Sequence, residues 1–238
     1  MNLVALAIAP GIAICLFIFY KDIYNREPKL NLIVSFVLGG AAILPAIGFE
    51  NSFAYVMDGT VSGAAVFAYC IVAFSEEFSK FLGLRLYSYN MKSFDEPLDG
   101  IVYAIMVGMG FATVENIKYV VFDTQSVNVA YLRMFLSVPA HATFAVVMGY
   151  FVGKAKFDSK NSFLLMLAGL LIAIFFHGTF DFFVFLQNFT ELGKQTADGL
   201  LFGGAVASFI VALLLSRKLI RHHRLISKQK FKDITTSA

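Results

Sequence analysis

The sequence predicts an all-α polytopic membrane protein of about seven transmembrane helices, and two observations carry that prediction. Of 238 residues, 58% are hydrophobic and only 15% charged, whereas a soluble domain carries about 25% charged and 45–50% apolar residues. The apolar excess also recurs along the whole chain in runs of roughly 20 residues, the length that crosses a bilayer as a helix. A single water-surrounded core is excluded.

Taken in order, the apolar runs place spans at 2–20, 30–49, 60–86, 98–122, 131–152, 162–186 and 198–217. The first run has neither a positive leading segment nor a small-residue cleavage site, so it reads as a retained helix. Residues 51–60 read either as a loop or as an interfacial turn before the third helix. No internal repeat or low-complexity linker divides the chain. It reads as one integral-membrane domain over 1–238, with its chemistry-bearing helices at about 60–186 and a basic cytoplasmic tail at about 217–238. Cys15 and Cys70 each sit in an apolar run and read as small hydrophobes without a bridge.

Lys and Arg are retained on the cytoplasmic side, so their placement sets orientation. With the N-terminus outside and the C-terminus inside, 16 of the 19 basic residues fall on the inner side, leaving Lys118, Arg133 and Lys194 outside. Trp is absent, so Tyr20, Tyr24, Tyr87, Tyr89 and Tyr150 near inner ends and Tyr119 and Tyr131 near outer ends supply the aromatic belt. The tail, with His222 and His223, reads as an anchor on anionic lipid. A net charge of +3 and the absence of a basic patch interleaved with aromatics exclude a nucleic-acid partner.

A charge at mid-bilayer costs about 2.5–3.5 kcal/mol on insertion scales, which makes the ionisable residues inside the spans informative. Span three carries Ser75, Glu76, Glu77 and Lys80; span four, Glu115 and Asn116; span five, His141; span six, His177 and Asp181. Four consecutive helices thus each bring at least one such group, while spans one, two and seven bring almost none. Neutral packing has no use for that distribution, so a site is the better reading. Glu76 and Glu77 lie about 100° apart on a helix and can border one cavity, with Lys80 in reach of both at i+4 and i+3. Such a pair suits one carboxylate acting as a base beside a hydrogen-bonding partner. Asp181, one turn after His177, can orient its imidazole, and Phe111 stands one turn from Glu115. Pro139 bends span five and opens backbone near His141. Counted from the outer ends, Glu115, His141 and His177 lie roughly 10–15 Å deep, but Glu76 counts to roughly 24 Å. A later helix start, a tilt or a broken segment near Gly59–Gly63 is needed to bring it level.

These motifs resemble those of the PrsW-type membrane proteases. Glu76-Glu77-Phe78-Ser79-Lys80 resembles the family's EExxK, and Phe111 to Asn116 its FxxxEN. Pro139-Ala140-His141 resembles its histidine-bearing third motif, and His177 to Asp181 its HxxxD. All four occur in order on successive helices. The related CAAX prenyl proteases carry EExxxR, FxxxH and HxxxN, so the Lys, Glu and Asp found here favour the PrsW branch. The resemblance implies an intramembrane endopeptidase of the bacterial cell membrane that cleaves a single-pass anti-sigma factor at an extracytoplasmic site. It implies Glu76 and Glu77 as catalytic carboxylates with His177 beside them. Glu76 would act as general base, His141 or His177 would stabilise the oxyanion, and Asp181 would hold His177. Glu115 and Asn116 would complete the polar cavity, with Lys80 and Phe111 in support. The cofactor is either none or Zn²⁺; Glu115, His141 and His177 are a plausible zinc set with an open position for water. Two other readings use the same residues: a proton-coupled transporter or channel, against which stands the lack of a half-to-half repeat, and a non-catalytic partner-binding descendant.

Overall fold

The computed structural model describes residues 2–197 and 199–236, with side chains through residue 232. Among the described residues, seven helices are long and apolar enough to cross a membrane. They are α1 (Leu3–Lys21), α2 (Lys29–Ser52), α3 (Val61–Asn90), α4 (Pro97–Asp123), α5 (Val127–Phe157), α6 (Ser162–Phe189) and α7 (Phe202–Lys232). No strand is present among the described residues, and Cys15 and Cys70 are free.

Local chemistry fixes the helix ends. Asn2 caps α1, its side chain accepting from the N–H groups of Val4 and Ala5, which lack intrahelical partners at a helix start. Glu96 and Asp99 form a reciprocal capping box at the start of α4, with Pro97 in the first turn, where its missing N–H costs nothing. Between α2 and α3 the ambiguous 51–60 segment forms a single 3₁₀ turn, Ala54–Val56, before Thr60 caps α3 through Gly63 N–H. The expected start of the last span at residue 198 lies outside the described residues. That helix begins at Phe202 and continues without a break to Thr236, so the basic tail extends α7 rather than forming a separate segment.

Helix α4 is the hub, with 89% of its apolar window buried. Side-chain-free backbone lets neighbours approach it closely. A Cβ on Gly100 would strike the backbone of Gly149 and Gly153 in α5, and one on Gly110 would strike that of Phe36 in α2. Small residues at crossing points are how membrane helices gain packing where lipid supplies no hydrophobic drive.

Three stretches depart from α geometry into wider π turns: Phe67–Ala73 in α3, Lys118–Asp123 in α4 and Arg133–Ser137 in α5. Such turns cluster at functional sites, and these flank the polar residues singled out above. The one in α5 has a legible cause. Pro139 has no N–H to offer the carbonyl of Phe135 four residues earlier, and the helix widens over the preceding turn. The bend expected at Pro139 therefore takes the form of a π turn. The one in α3 lies just before Glu76 and shortens the path to it slightly, because an i→i+5 turn advances less per residue than an α turn.

At the end of the bundle remote from the N-terminus, the loop at 22–28, the loop at 91–96 and the tail of α7 meet in a buried acidic network. Tyr103 donates to Glu27, Ser227 donates to Glu96 at 2.7 Å, and Lys230 donates to the Asp95 carbonyl at 2.7 Å. Burial pushes the Asp22 carboxyl up to about 7 and raises Glu27 and Glu96 as well.

Candidate active site

The π turn of α3 delivers Glu76 and Glu77 into the centre of the bundle, both buried with Lys80. The Lys80 ammonium lies 3.0 Å from Glu76 Oε2 and 2.8 Å from Glu77 Oε1. It also lies 4.1 Å from the centre of the Phe111 ring, an attractive placement over an aromatic face. From α5, His141 brings Nδ1 to 3.2 Å from the same ammonium. An ammonium only donates, so Nδ1 is the accepting nitrogen and Nε2 carries the proton. That Nε2–H faces Glu115 Oε2 of α4 at 2.9 Å.

Helix α6 closes the other side. Glu77 Oε1 stands 2.8 Å from His177 Nδ1, and Asp181 Oδ2 stands 3.2 Å from His177 Nε2, with Glu76 Oε2 beyond at 3.8 Å. The His177 ring is further fixed by stacking on Phe144 at a centroid distance of 5.0 Å. Gly178 makes this approach possible, because the Tyr69 ring of α3 occupies the space a Cβ would need. Tyr69 Oη and Thr179 Oγ1 then pair at 2.8 Å.

A cavity of about 840 Å³ opens onto this centre, lined by Glu76, Glu115, His141, His177 and Asp181. Apolar walls from Ile43, Leu136 and Phe180 surround them. Glu77 lies on the opposite side of the centre, against Leu84, Val107 and Met148. Six residues expected to act together, Glu76, Glu77, Glu115, His141, His177 and Asp181, are therefore joined through Lys80. Asn116 is placed differently. It is fully buried and turns toward α1, donating to the Ala7 carbonyl at 2.9 Å.

Two residues at the site were missed by sequence reasoning. Glu50 of α2 lines the cavity and accepts from Ser75 at 3.3 Å; it sat one position beyond the expected end of span two. Arg133 had been assigned to the outer basic residues. Its Nη2 lies 2.7 Å from Glu115 Oε2, and its Nε donates to Asn116 Oδ1 at 2.9 Å. In both cases an ionisable residue at a predicted span edge passed for a solvated one.

Glu76, Glu77, His141 and His177 each offer one donor atom, all within 4.8 Å of one another. Two imidazole nitrogens and two carboxylate oxygens are ligands that zinc takes, so the set fits a divalent ion by chemistry. Glu115 stands outside this foursome, bridging His141 to Arg133. Lys80 contacts three of the four, Glu76, Glu77 and His141, so an ion held by this set would compete with its ammonium for them.

Fold and site together define a multi-pass membrane protein with a buried acid–base centre opening onto a cavity among its helices. Residues 27–216 match the model of the PrsW family intramembrane metalloprotease. Similar proteins include Protease PrsW of Geobacillus kaustophilus, 35% identical over 79% of this chain and 81% of that one. Protease PrsW of Bacillus subtilis is 35% identical over 76% and 81%, and that of Clostridioides difficile 34% identical over 79% and 81%. No solved structure matches. The chain belongs to the PrsW family and is an intramembrane protease.

Proposed function

We propose that this protease cuts a single-pass membrane protein, an anti-sigma factor by the family resemblance, near the outer side of the bacterial cell membrane, with Glu76 activating the attacking water. The observation that carries this reading is the division between adjacent glutamates: Glu76 lines the cavity with His177 and Asp181, whereas Glu77 faces away from it between Lys80 and His177. Water enters on the cavity side, so Glu76 is the carboxylate positioned to take its proton. The water oxygen adds to the peptide carbonyl carbon. Glu76 then passes the proton to the departing nitrogen as the C–N bond breaks. His141 is held between Lys80 and Glu115, whereas His177, held at Nδ1 by Glu77, turns Nε2 toward Asp181 on the cavity wall; in this reading its Nε2–H shifts from Asp181 to donate to the oxyanion. Asp181 aligns that ring, as carboxylates do for functional histidines. A divalent ion held by Glu76, Glu77, His141 and His177 would supply Lewis acidity toward the scissile carbonyl.

The end of the bundle bearing the N-terminus is poor in Lys and Arg, and 16 of 19 basic residues belong to the other half or its tail. This supports an N-terminus outside and a cavity in the outer half. The test is proteomics of a deletion strain. An intact single-pass protein should accumulate and disappear when the wild-type chain is restored but persist with Glu76→Gln. Clearance by Glu76→Gln equal to wild type would contradict the assignment.

A further inference from the structure

We infer that Arg133 is a positioning residue of the active site, acting through Glu115 and His141. This rests on the proteolytic reading above. The guanidinium is nearly buried, with 12% of its side chain exposed, and it lies on the cavity wall. Three neighbours hold it. Glu115 Oε2 is at 2.7 Å, Asn116 accepts from Nε at 2.9 Å, and the Tyr119 ring centre is 4.4 Å from the guanidinium carbon. Glu115 and Asn116 are adjacent on α4 and point to different sides. A planar fork that meets both therefore fixes α5 against α4 in rotation as well as distance, which a flexible ammonium does less well. Asn116 in turn is held by Ala7 of α1, so the guanidinium ties α5 to α4 directly and to α1 through Asn116.

The consequence runs inward. Glu115 Oε2 is ion-paired with the Arg133 guanidinium and accepts from His141 Nε2–H. Arg133 balances the carboxylate's charge, and the carboxylate fixes the ring orientation of His141, whose tautomer Lys80 sets. His141 Nδ1 then accepts from Lys80, whose other bonds go to Glu76 and Glu77. An unbroken run of contacts of 2.7 to 3.2 Å links Arg133 to the proposed base. Without Arg133, Glu115 loses its counter-charge and its direction. His141 then loses its fixed orientation, and Lys80 gains freedom to leave Glu76.

The test uses the full chain in detergent with a donor–quencher-labelled transmembrane peptide, taken from an anti-sigma factor and cleaved by the wild type. Orienting groups behind functional histidines typically contribute 10–100-fold. Arg133→Gln should therefore lower kcat about 10–100-fold with KM nearly unchanged, and Arg133→Lys, which keeps the charge but not the fork, should recover part of that loss. Glu115→Gln should cost little more in the Arg133→Gln background than Arg133→Gln costs alone, because the two act in series. A raised KM with unchanged kcat would make Arg133 a substrate contact and overturn the inference. So would full kcat in Arg133→Gln, or equal losses in both Arg133 variants alongside equal losses of thermal stability. Should Arg133→Gln not fold, Arg133→Lys decides: a several-fold fall in kcat at constant KM supports the role, and wild-type kcat overturns it. Glu76→Gln serves as control. Its full activity would sink the proteolytic assignment, whereas an inactive Glu76→Gln beside a fully active Arg133→Gln would sink this inference alone.

Discussion

Without Lys80, Glu76 and Glu77 would face a low-dielectric interior with no fixed positive charge between them. Removing one partner of a buried ion pair destabilises by about 3–5 kcal/mol, because the charge left behind is uncompensated. Lys80→Met should therefore lower thermal stability sharply in detergent. The ammonium engages Glu76, Glu77 and His141, three of the four side chains that would hold a divalent ion. Added Zn²⁺ should therefore restore part of the Lys80→Met melting temperature and have a smaller effect on the wild type, as read by a thermal-shift assay. Equal response of the two proteins to Zn²⁺ would separate the ammonium position from the metal position. At this scale the sequence was most informative about residues deep inside apolar runs. Glu76, Glu115, His141 and His177 could be singled out because each costs free energy in hydrocarbon. Arg133 and Glu50 could not, since a charge near a span end costs little unless the helix around it is packed.

The helices carry a second kind of information, in how closely they approach. Gly178 sits under the Tyr69 ring, one residue after His177, where α6 meets α3. A methyl group there would press on the ring itself. Overpacking of this kind typically costs about 1–3 kcal/mol, and the strain would separate His177 from Glu77. Gly178→Ala should lower both melting temperature and cleavage rate, with the rate falling further than the change in folded fraction explains. An unchanged rate would show that α3 and α6 adjust without moving the imidazole. The number and order of the helices were legible, because apolar runs long enough to span a bilayer are a one-dimensional signal. The π turns were not. Hydropathy does not register whether a helix turns in 3.6 residues or more, and only Pro139 gave a local cue.

Among the described residues, polar groups gather both at the cavity and where the loops at 22–28 and 91–96 meet the tail of α7. The second escaped sequence reading because Asp22, Glu27, Glu96 and Asp99 lie near loops, where carboxylates are ordinarily solvated; all four are buried. Burial raises Asp22 from its ordinary 3.8 to about 7. Between those values the folded chain keeps a proton that the unfolded chain has released, so stability falls as pH rises from about 4 to 7 and levels off above. Glu27 and Glu96 shift in the same direction. Asp22→Asn keeps an oxygen for the Glu27 N–H and removes one titration. Its melting temperature should decline less across that window and exceed the wild-type value at pH 7.5. An equally steep decline would show that Asp22 does not contribute. Docking of Ser227 and Lys230 on Glu96 and Asp95 ties the continuation of α7, expected to anchor on anionic lipid, to the loop at 91–96.

The most direct measurement is the initial rate at which the purified chain, reconstituted in liposomes, cleaves a labelled single-pass substrate, compared between wild type and Glu76→Gln. A general base contributes about 10²–10⁴-fold. The account predicts a loss of at least about 100-fold with the fold retained; a Glu76→Gln rate within a few-fold of wild type would contradict it.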